Sequence, residues 1–388
     1  GRIPEMDNTP QARIKVPRGR SNLDAYYNYF NTYVGEYPFK PYMSNLGLQA
    51  RILAWLKNSN LLDSGENFSN YRAIFSFISA LIFAMFCFYF LKEFGSFVAI
   101  FLVLYIAQLD WIVSSAAHMF WFSGLMFVPF ISNFFLLKRI KESNSTIKFL
   151  FTAIILTYSF SFLKCLSSGY EVISSFLVMN TIPVFYYWIK DRWKILRFLV
   201  VFISISFVSL AGVFSSMVIQ AHQIDVLKSE AGAGKNHLLS SYFRRSSGKG
   251  IRPNMPDRVK ESYRVSSFDV IKKYWNSSLV TLNDNYHNPK GIIKANALVL
   301  TLVIITLIYL MVLYLGFVDK ILEGLLICTW VSLISPLSMF VLFKSLSWLH
   351  PHLVPITWNM PFSILMAVIV LYILKKLIVR FKYVLIRA

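Results

Sequence analysis

Charge is scarce in this chain, and acid is scarcer still. Only 15% of its 388 residues are charged, and 19 acidic residues stand against 39 basic ones. Hydrophobic residues make up 56% of the chain and aromatic residues 17%. So apolar a composition excludes an ordinary soluble domain and indicates a polytopic membrane protein.

Cysteine is nearly absent. Cys87, Cys165 and Cys328 show neither a pairing pattern nor the spacing of a metal site, so a disulfide framework is excluded. Each lies within or at the edge of an apolar stretch, which predicts three small core residues.

Nine apolar stretches predict membrane-spanning helices, because a helix must satisfy its own backbone inside lipid. They are residues 74–91, 97–108, 120–137, 149–162, 172–189, 195–220, 297–317, 321–343 and 361–374. The second and fourth are short and would depend on their neighbours. The predicted fold class is therefore all-α, a polytopic integral membrane helical bundle of about nine spans with extracytoplasmic loops and an interfacial helix.

Lysine and arginine in the short connections indicate the orientation, since basic connections of polytopic proteins stay in the cytoplasm. The predicted cytoplasmic ends carry Lys92, Lys138, Arg139, Lys141, Lys148, Lys190, Arg192, Lys194, Arg197, Lys320, Lys375, Lys376, Arg380, Lys382 and Arg387. Connections 110–119, 167–169 and 345–360 then face outward, as does a long loop at 222–294. Much of the net charge of +20 lies at the cytoplasmic ends and the rest suits lipid phosphate, so we predict contact with membrane lipid and no nucleic acid.

This orientation divides the chain into four parts. They are an extracytoplasmic loop with an interfacial helix at 1–71, transmembrane helices at 72–221, an extracytoplasmic basic loop at 222–293, and transmembrane helices with a cytoplasmic basic tail at 294–388. The interfacial helix is predicted from apolar residues at helical spacing in 46–56. Because a long outer segment precedes the first predicted span, we expect a further N-terminal span or a cleaved signal before Gly1.

Several ionisable side chains interrupt apolar sequence on the predicted outer side. They are Asp110, His118, Glu171, His350 and His352. A carboxylate at the membrane end of an apolar run is costly, so Glu171 is expected either to pair with Lys164 or to contact substrate. Asp110 and His118 line the neighbouring turn, where substrate binding competes with a packing role.

Two histidines flank Pro351. The extended backbone favoured beside proline directs His350 and His352 to opposite faces. Both therefore cannot easily hold one metal ion without a third ligand, and we predict no metal site, while a divalent cation stays an open alternative. One histidine is expected to donate to substrate phosphate or sugar.

Arg244 and Arg245 precede the glycine-containing segment 246–250. Guanidinium groups bind phosphate oxygens in pairs, and glycine lets the backbone approach closely, so the segment predicts a phosphate clamp assisted by Lys249, Arg252 or Lys164. The alternative is a solvated loop that touches anionic headgroups. The glycines at 231–235 lack the spacing of a nucleotide-binding loop.

The predicted outer segments also contain several specific sequence motifs. It consists of Pro-Glu-Met-Asp-Asn at 4–8, Asp-Ala-Tyr-Tyr-Asn-Tyr-Phe-Asn at 24–31, Ser-Asn-Leu-Gly-Leu-Gln at 44–49, Gly-Tyr-Glu at 169–171, His-Pro-His at 350–352 and Trp-Asn-Met-Pro-Phe at 358–362. In these segments the chain resembles the polytopic bacterial glycosyltransferases of the GT-C superfamily, which use polyprenyl-phosphate-linked sugars.

The resemblance implies that an acidic residue of the first outer loop acts on the acceptor, and Asp7 matches it by position. Asp24 and Glu171 are the other catalytic candidates, while turn formation or helix capping is the alternative for Asp7 and Asp24. Sugar transfer needs a base, a cation for the departing phosphate and a wall against water. We expect inverting transfer from polyprenyl phosphate to a glycan or lipid-linked acceptor, outside a bacterial inner membrane.

Two other classes share this architecture. An O-antigen polymerase or ligase would rely on outer arginine and histidine residues. A transporter or flippase for lipid-linked saccharides would need polar residues or broken helices in mid-membrane, where the sequence shows few besides Ser335 and Pro336.

Overall fold

The computed structural model describes residues 12–14, 39–41, 43, 46–48, 51–52, 55, 67–116, 123–142, 146–246, 255–281 and 291–387. Helices make up nearly all of this part of the chain. They are α1 Asn67–Phe94, α2 Ser96–Ala107, α3 Asp110–Ala116, α4 Ser123–Glu142, α5 Thr146–Ser168, α6 Ile173–Lys190, α7 Ile195–Lys228, α8 Ala233–Ser246, α9 Asp257–Arg264, α10 Ser267–Trp275, α11 Ala295–Tyr314, α12 Lys320–Ser332, α13 Ile334–Leu342, α14 Lys344–Leu349, a 3-10 turn at Pro351–Leu353, α15 Val354–Asn359 and α16 Phe362–Arg387. The strands form two antiparallel pairs, β1 Ala12–Ile14 with β2 Phe39–Pro41 and β3 Ser278–Thr281 with β4 Gly291–Lys294.

Six helical segments of the described chain are long and apolar enough to cross a membrane. They are Ala73–Phe94, Ile147–Ser168, Ile195–Lys228, Ala295–Tyr314, Lys320–Leu342 and Phe362–Lys382. The protein is thus an all-α, multi-pass membrane protein. The other three predicted stretches fall on α2, α4 and α6, which do not meet these criteria, so the predicted count of nine spans is not confirmed.

Helix α6 lies at the centre of the bundle and packs against α4, α7, α12 and α13. Twelve of its residues are buried. Helices α5 and α7 approach each other closely at Gly212, where an added Cβ would lie 2.6 Å from the Tyr158 carbonyl oxygen. Close helix packing of this kind depends on the missing side chain.

The bundle contains more buried polar side chains than we expected from the apolar character of its helices. Asn133 Nδ2 donates to the Asn180 carbonyl oxygen at 3.1 Å, and Asn180 Nδ2 donates to Ser209 Oγ at 3.3 Å. Thr157 Oγ1 donates to Asn133 Oδ1 at 3.2 Å. These four residues tie α4, α5, α6 and α7 together, so their polar atoms serve helix association.

One end of the bundle is organised around a buried carboxylate that the sequence analysis did not single out. Glu93 is 3% exposed and pairs with Lys138, at 3.0 Å, and with Lys190. Tyr186 Oη donates to the same carboxylate at 2.8 Å. We call this the Glu93 end. It gathers the C-terminal ends of α1, α4 and α6, which agrees with the predicted grouping of the basic helix ends.

The opposite end, the Glu171 end, comprises the turn from Lys164 to Glu171 and helices α8, α9, α10 and α14. The sequence predicted a basic loop at 222–293, whereas α7 continues to Lys228 and is followed by three helices and a strand pair. These elements turn a stretch expected to be solvated into a structured cap. Of the predicted interfacial helix at 46–56, residues 48, 51, 52 and 55 are helical, and the residues between them lie outside the described part of the chain.

Candidate functional site

The turn between α5 and α6 is shaped by a buried lysine. Lys164 is completely buried, and its Nζ donates to the carbonyl oxygens of Gly169 at 2.7 Å and Glu171 at 2.8 Å. The backbone enters the left-handed region at Gly169, with φ 70°, and at Val172, with φ 51°. Lys164 therefore holds a conformation that a valine rarely adopts alone.

The predicted ion pair between Lys164 and Glu171 is wrong for these two side chains, since the Lys164 ammonium binds main-chain oxygens instead. In the described part of the chain, Glu171 Oε2 is buried without a hydrogen-bond partner. Ser168 Oγ, in the same turn, is also buried without a partner among the described residues. A buried carboxylate oxygen without a donor is unusual, because desolvation of the charge goes uncompensated.

The two predicted clamp arginines do not act as a pair. Arg244 is exposed, and its guanidinium bonds to its own helix, at the Ser240 carbonyl oxygen and at Ser241 Oγ, 3.0 Å away. Arg245 is half-buried, and its charge acts on both Lys164 and His350. Successive residues of a helix point about 100° apart, so neighbouring arginines on α8 diverge. Arg245 alone belongs to the cluster.

His350 lies at the end of α14 and completes the group. Burial lowers the pKa of His350, the Glu171 carboxylate opposes this, and the guanidinium groups of Arg245 and Arg258 lower the pKa further. The imidazole is therefore mainly uncharged at neutral pH. The cluster of Lys164, Glu171, Arg245, Arg258 and His350 is called the Glu171 cluster below.

Arg258 is the member that sequence analysis missed. Its Nη2 donates to the Leu349 carbonyl oxygen at 3.2 Å, next to His350. Arg258 occupies the first turn of a short polar helix, with no motif or apolar run beside it. Only the docking of α9 on α14 brings it to the site.

Helices α9, α10 and α14 are tied together beneath this cluster. Tyr274 Oη donates to the Ser347 carbonyl oxygen at 2.7 Å, and burial raises the pKa of Tyr274 to about 12. Lys344 Nζ donates to the Val265 carbonyl oxygen at 2.8 Å. Lys273 Nζ lies 3.8 Å from the centre of the Trp348 ring. These contacts hold Arg258 and His350 in fixed relation.

The N-terminal segment is attached at the same end. Gln220 Nε2 donates to the Met43 carbonyl oxygen at 2.6 Å. His237 on α8 also hydrogen-bonds the Met43 backbone, while burial lowers its pKa. Met43 thus lies at the same end of the bundle as His237 and Arg245.

The remaining candidates are not placed by the structure. Asp7, Asp24 and His118 lie outside the described residues. Asp110 begins α3 and His352 belongs to the 3-10 turn, but their side chains are likewise outside the description. Within the described ranges no group of three or more histidine, cysteine or acidic residues could hold a metal ion.

The Glu171 cluster is cationic apart from one carboxylate. Lys164, Arg245 and Arg258 are basic, His350 can gain a charge, and Glu171 can accept a proton. Such a set can bind a phosphate and receive a proton from a hydroxyl group. No family model, curated protein or solved structure matches the chain.

Proposed function

We propose that the protein is a membrane glycosyltransferase of the GT-C type. It transfers a sugar from a polyprenyl-phosphate donor to a glycan or lipid-linked acceptor, at the extracytoplasmic face of a bacterial inner membrane. In this proposal the chain crosses the membrane nine times, with α2, α4 and α6 as the additional spans.

The observation that carries the proposal is that Glu171 Oε2 has no hydrogen-bond partner among the described residues and lies within a cationic cluster, where helices meet a polar cap. A carboxylate oxygen without an internal donor leaves its lone pairs open to an acceptor hydroxyl group. The cations beside it suit a phosphate leaving group.

The proposal assigns a role to each member of the cluster. The acceptor hydroxyl oxygen attacks the anomeric carbon, its proton passes to Glu171, and the bond from the anomeric carbon to the phosphate oxygen breaks. Polyprenyl phosphate leaves with the bonding electrons, held by Arg245, Arg258 and His350. Because the acceptor oxygen attacks opposite the departing phosphate, the configuration at the anomeric carbon is inverted. Asp7 remains the alternative base, and the attachment of Met43 beside the cluster is compatible with that role.

The side of the membrane is proposed from charge. The Glu93 end holds Lys138, Lys190, Lys375 and Lys376, and basic short connections belong in the cytoplasm. The Glu171 end is then extracytoplasmic, where lipid-linked saccharides are joined to surface glycans.

The test uses the full chain in lipid nanodiscs with radiolabelled sugar on undecaprenyl phosphate, together with mass spectrometry of the surface glycan of cells with and without the protein. Glu171→Gln should abolish release of undecaprenyl phosphate. Glu230→Gln is the matched control, because Glu230 is exposed at the end of α7. Equal turnover by the two variants would remove Glu171 from the mechanism.

The same assay separates the other classes. A transporter would move the lipid-linked sugar across the bilayer without breaking the sugar–phosphate bond. A polymerase or ligase using arginine and histidine would tolerate both Glu171→Gln and Asp7→Asn. Loss of turnover in Asp7→Asn alone would move the base to the N-terminal segment.

A further inference from the structure

Helix α10 has a fixed beginning and a buried inner face. Ser266 Oγ accepts from the Asp269 main-chain N–H at 3.1 Å, and the Asp269 carboxylate accepts from the Ser266 main-chain N–H, also at 3.1 Å. This reciprocal cap starts the helix. Val270 and Tyr274, one turn apart, are buried, and the centre of the Tyr274 ring lies 5.6 Å from that of Phe340 on α13. The inner face of α10 is therefore packed on the bundle.

The opposite face of α10 carries exposed aromatic side chains. Phe268 is 71% exposed and Trp275 is 39% exposed. Their positions differ by seven residues, which is nearly two helical turns, so both lie on one side of the helix. Lys272, which is also exposed, lies between them on that side. Phenylalanine, tryptophan and lysine in this arrangement are typical of a helix that lies in a membrane interface.

The beginning of α10 contacts the end of a candidate span. Ser267 Oγ lies 3.5 Å from the Val341 carbonyl oxygen. Val341 is the penultimate residue of the segment Lys320–Leu342, which is long and apolar enough to cross a membrane. The Val341 side chain is 50% exposed, so this part of the span faces lipid. Phe268 directly follows Ser267 and thus lies beside a lipid-facing surface.

The other end of α10 contacts the beginning of a second candidate span. Asn276 Oδ1 accepts from Asn296 Nδ2 at 2.7 Å, and the Ser277 carbonyl oxygen accepts from the Ala295 main-chain N–H at 3.0 Å. Ala295 and Asn296 begin α11, which is the least buried of the six candidate spans in the described chain. Trp275 directly precedes Asn276 and thus lies beside the start of α11.

These two attachments determine how α10 lies relative to the membrane. The nine residues of α10 extend over about 13 Å at 1.5 Å per residue. Both of its ends contact spans where those spans reach the Glu171 end of the bundle. A short helix that joins two such points lies across the spans, parallel to the bilayer surface and at the level of the lipid headgroups.

We propose that α10 is anchored in the headgroup region of the lipid bilayer by Phe268 and Trp275, with Lys272 at the lipid phosphates. The partner of this face is lipid because α10 is attached at both ends to spans whose exposed side chains face lipid. The charge agrees, since Lys272 attracts phosphate and the acid on this face, Asp269, is bonded to Ser266 in the helix cap.

Anchoring of α10 also sets the level of the Glu171 cluster in the membrane. Tyr274 Oη, on the inner face of α10, donates to the Ser347 carbonyl oxygen at 2.7 Å. Ser347 lies in α14, three residues before His350. The cluster is therefore held close to the headgroups, whether or not the protein transfers a sugar.

The experiment measures where the α10 side chains lie in the bilayer. Phe268→Cys and Trp275→Cys, each in the full chain in lipid nanodiscs, are labelled with bimane. The unsubstituted chain, labelled in parallel, corrects for Cys87, Cys165 and Cys328. The label is quenched by phospholipid brominated near the headgroup, by phospholipid brominated near the chain ends, or by aqueous iodide. Thermal unfolding verifies that the variants fold.

Two exposed positions serve as references. Ile304→Cys, at an exposed side chain in the middle of α11, reports the hydrocarbon core. Glu230→Cys reports water, because Glu230 is exposed just beyond α7, whose 34 residues extend over about 51 Å and exceed the hydrocarbon thickness of about 30 Å.

Lipid brominated near the headgroup should quench the labels at Phe268→Cys and Trp275→Cys several-fold more strongly than the label at Glu230→Cys. Bromine near the chain ends should quench them less, whereas Ile304→Cys should show the opposite preference. Iodide should quench Glu230→Cys several-fold more strongly than either α10 variant. Iodide quenching of the α10 labels equal to that of Glu230→Cys, without quenching by bromolipid, would place α10 in water and overturn the proposal. Protection from all three quenchers would show that protein covers the face and would overturn it as well.

Discussion

Arg245 offers the sharpest test of the site, because its neighbour on the same helix is a built-in control. Arg245 is half-buried, its charge acts on Lys164 and His350, and within the described chain its guanidinium makes no hydrogen bond. Arg244 is exposed and bonds to Ser240 and Ser241. The two residues thus differ in environment, although they have the same charge and size and are adjacent in the sequence.

The perturbation is Arg245→Gln, with Arg244→Gln alongside. A hydrogen bond between charged groups contributes about 1.5–3 kcal/mol, which corresponds to about 10- to 150-fold in affinity for undecaprenyl phosphate. Arg244→Gln removes an exposed charge and should change that affinity less than about threefold. Both proteins should unfold at the temperature of the unaltered chain, since no internal hydrogen bond to another element is lost.

The assay is retention of radiolabelled undecaprenyl phosphate by protein in nanodiscs at two salt concentrations. Raising the salt should weaken the Arg244 contribution more than the Arg245 contribution, because half-buried charge is screened less. Equal losses in the two variants would refute the assignment of Arg245 and favour a diffuse electrostatic attraction to lipid.

Three further predictions test the fold and the electrostatics. Gly212→Ala should destabilise the protein by about 1–3 kcal/mol, seen as a lower unfolding temperature, because the added Cβ would meet the Tyr158 carbonyl oxygen. Leu210→Ala, at a side chain that is 54% exposed, is the control. Equal effects of the two substitutions would argue against close helix contact at Gly212. Glu93→Gln should lower the free energy of unfolding by about 2 kcal/mol or more, because it leaves Lys138 and Lys190 unpaired. Glu323→Gln, whose partner Arg192 is 51% exposed, should lower it by only about 0–1 kcal/mol. The reverse order would contradict a buried ionic network around Glu93. Burial lowers the pKa of His350 in the folded protein below its ordinary value near 6.5. Between these two pKa values the unfolded state binds more protons than the folded state. The stability of the unliganded protein should therefore fall as the pH drops from about 6.5 toward the lowered pKa. Binding of a phosphodiester lipid raises that pKa and should instead tighten over the same pH range, and His350→Gln should remove both dependences.

The sequence predicted the candidate site unevenly. Glu171, Lys164 and His350 were selected from their places beside apolar stretches and Arg245 from an arginine pair before a glycine-containing segment, and the structure brings these four together. The ion pair of Lys164 with Glu171, one of two alternatives for Glu171, is replaced by bonds from Lys164 to main-chain oxygens, and Arg244 and Arg245 lie in different environments. Both differences concern side-chain direction, which depends on local backbone geometry and not on spacing alone.

Sequence patterns did not mark Arg258, or the Trp358 and Asn359 donors that lack a partner among the described residues, for a different reason. Arg258 lies on a short polar helix, and nothing in its neighbourhood marks it as functional. Trp358 and Asn359 were noticed only as part of a resemblance. Whether a buried donor is satisfied depends on how distant parts of the chain pack around it, so it is a property of the assembled fold.

By itself the sequence determined that the chain is a helical membrane protein, because apolar composition and stretch length respond directly to the thickness of the bilayer. It also indicated which helix ends share a side, since basic charge is unevenly distributed. The tertiary structure alone decided which polar atoms are paired, which arginine faces the cluster and how the segment after α7 caps it. Those outcomes arise from packing between helices far apart along the chain, where differences of a few ångströms separate a hydrogen bond from an unpartnered group.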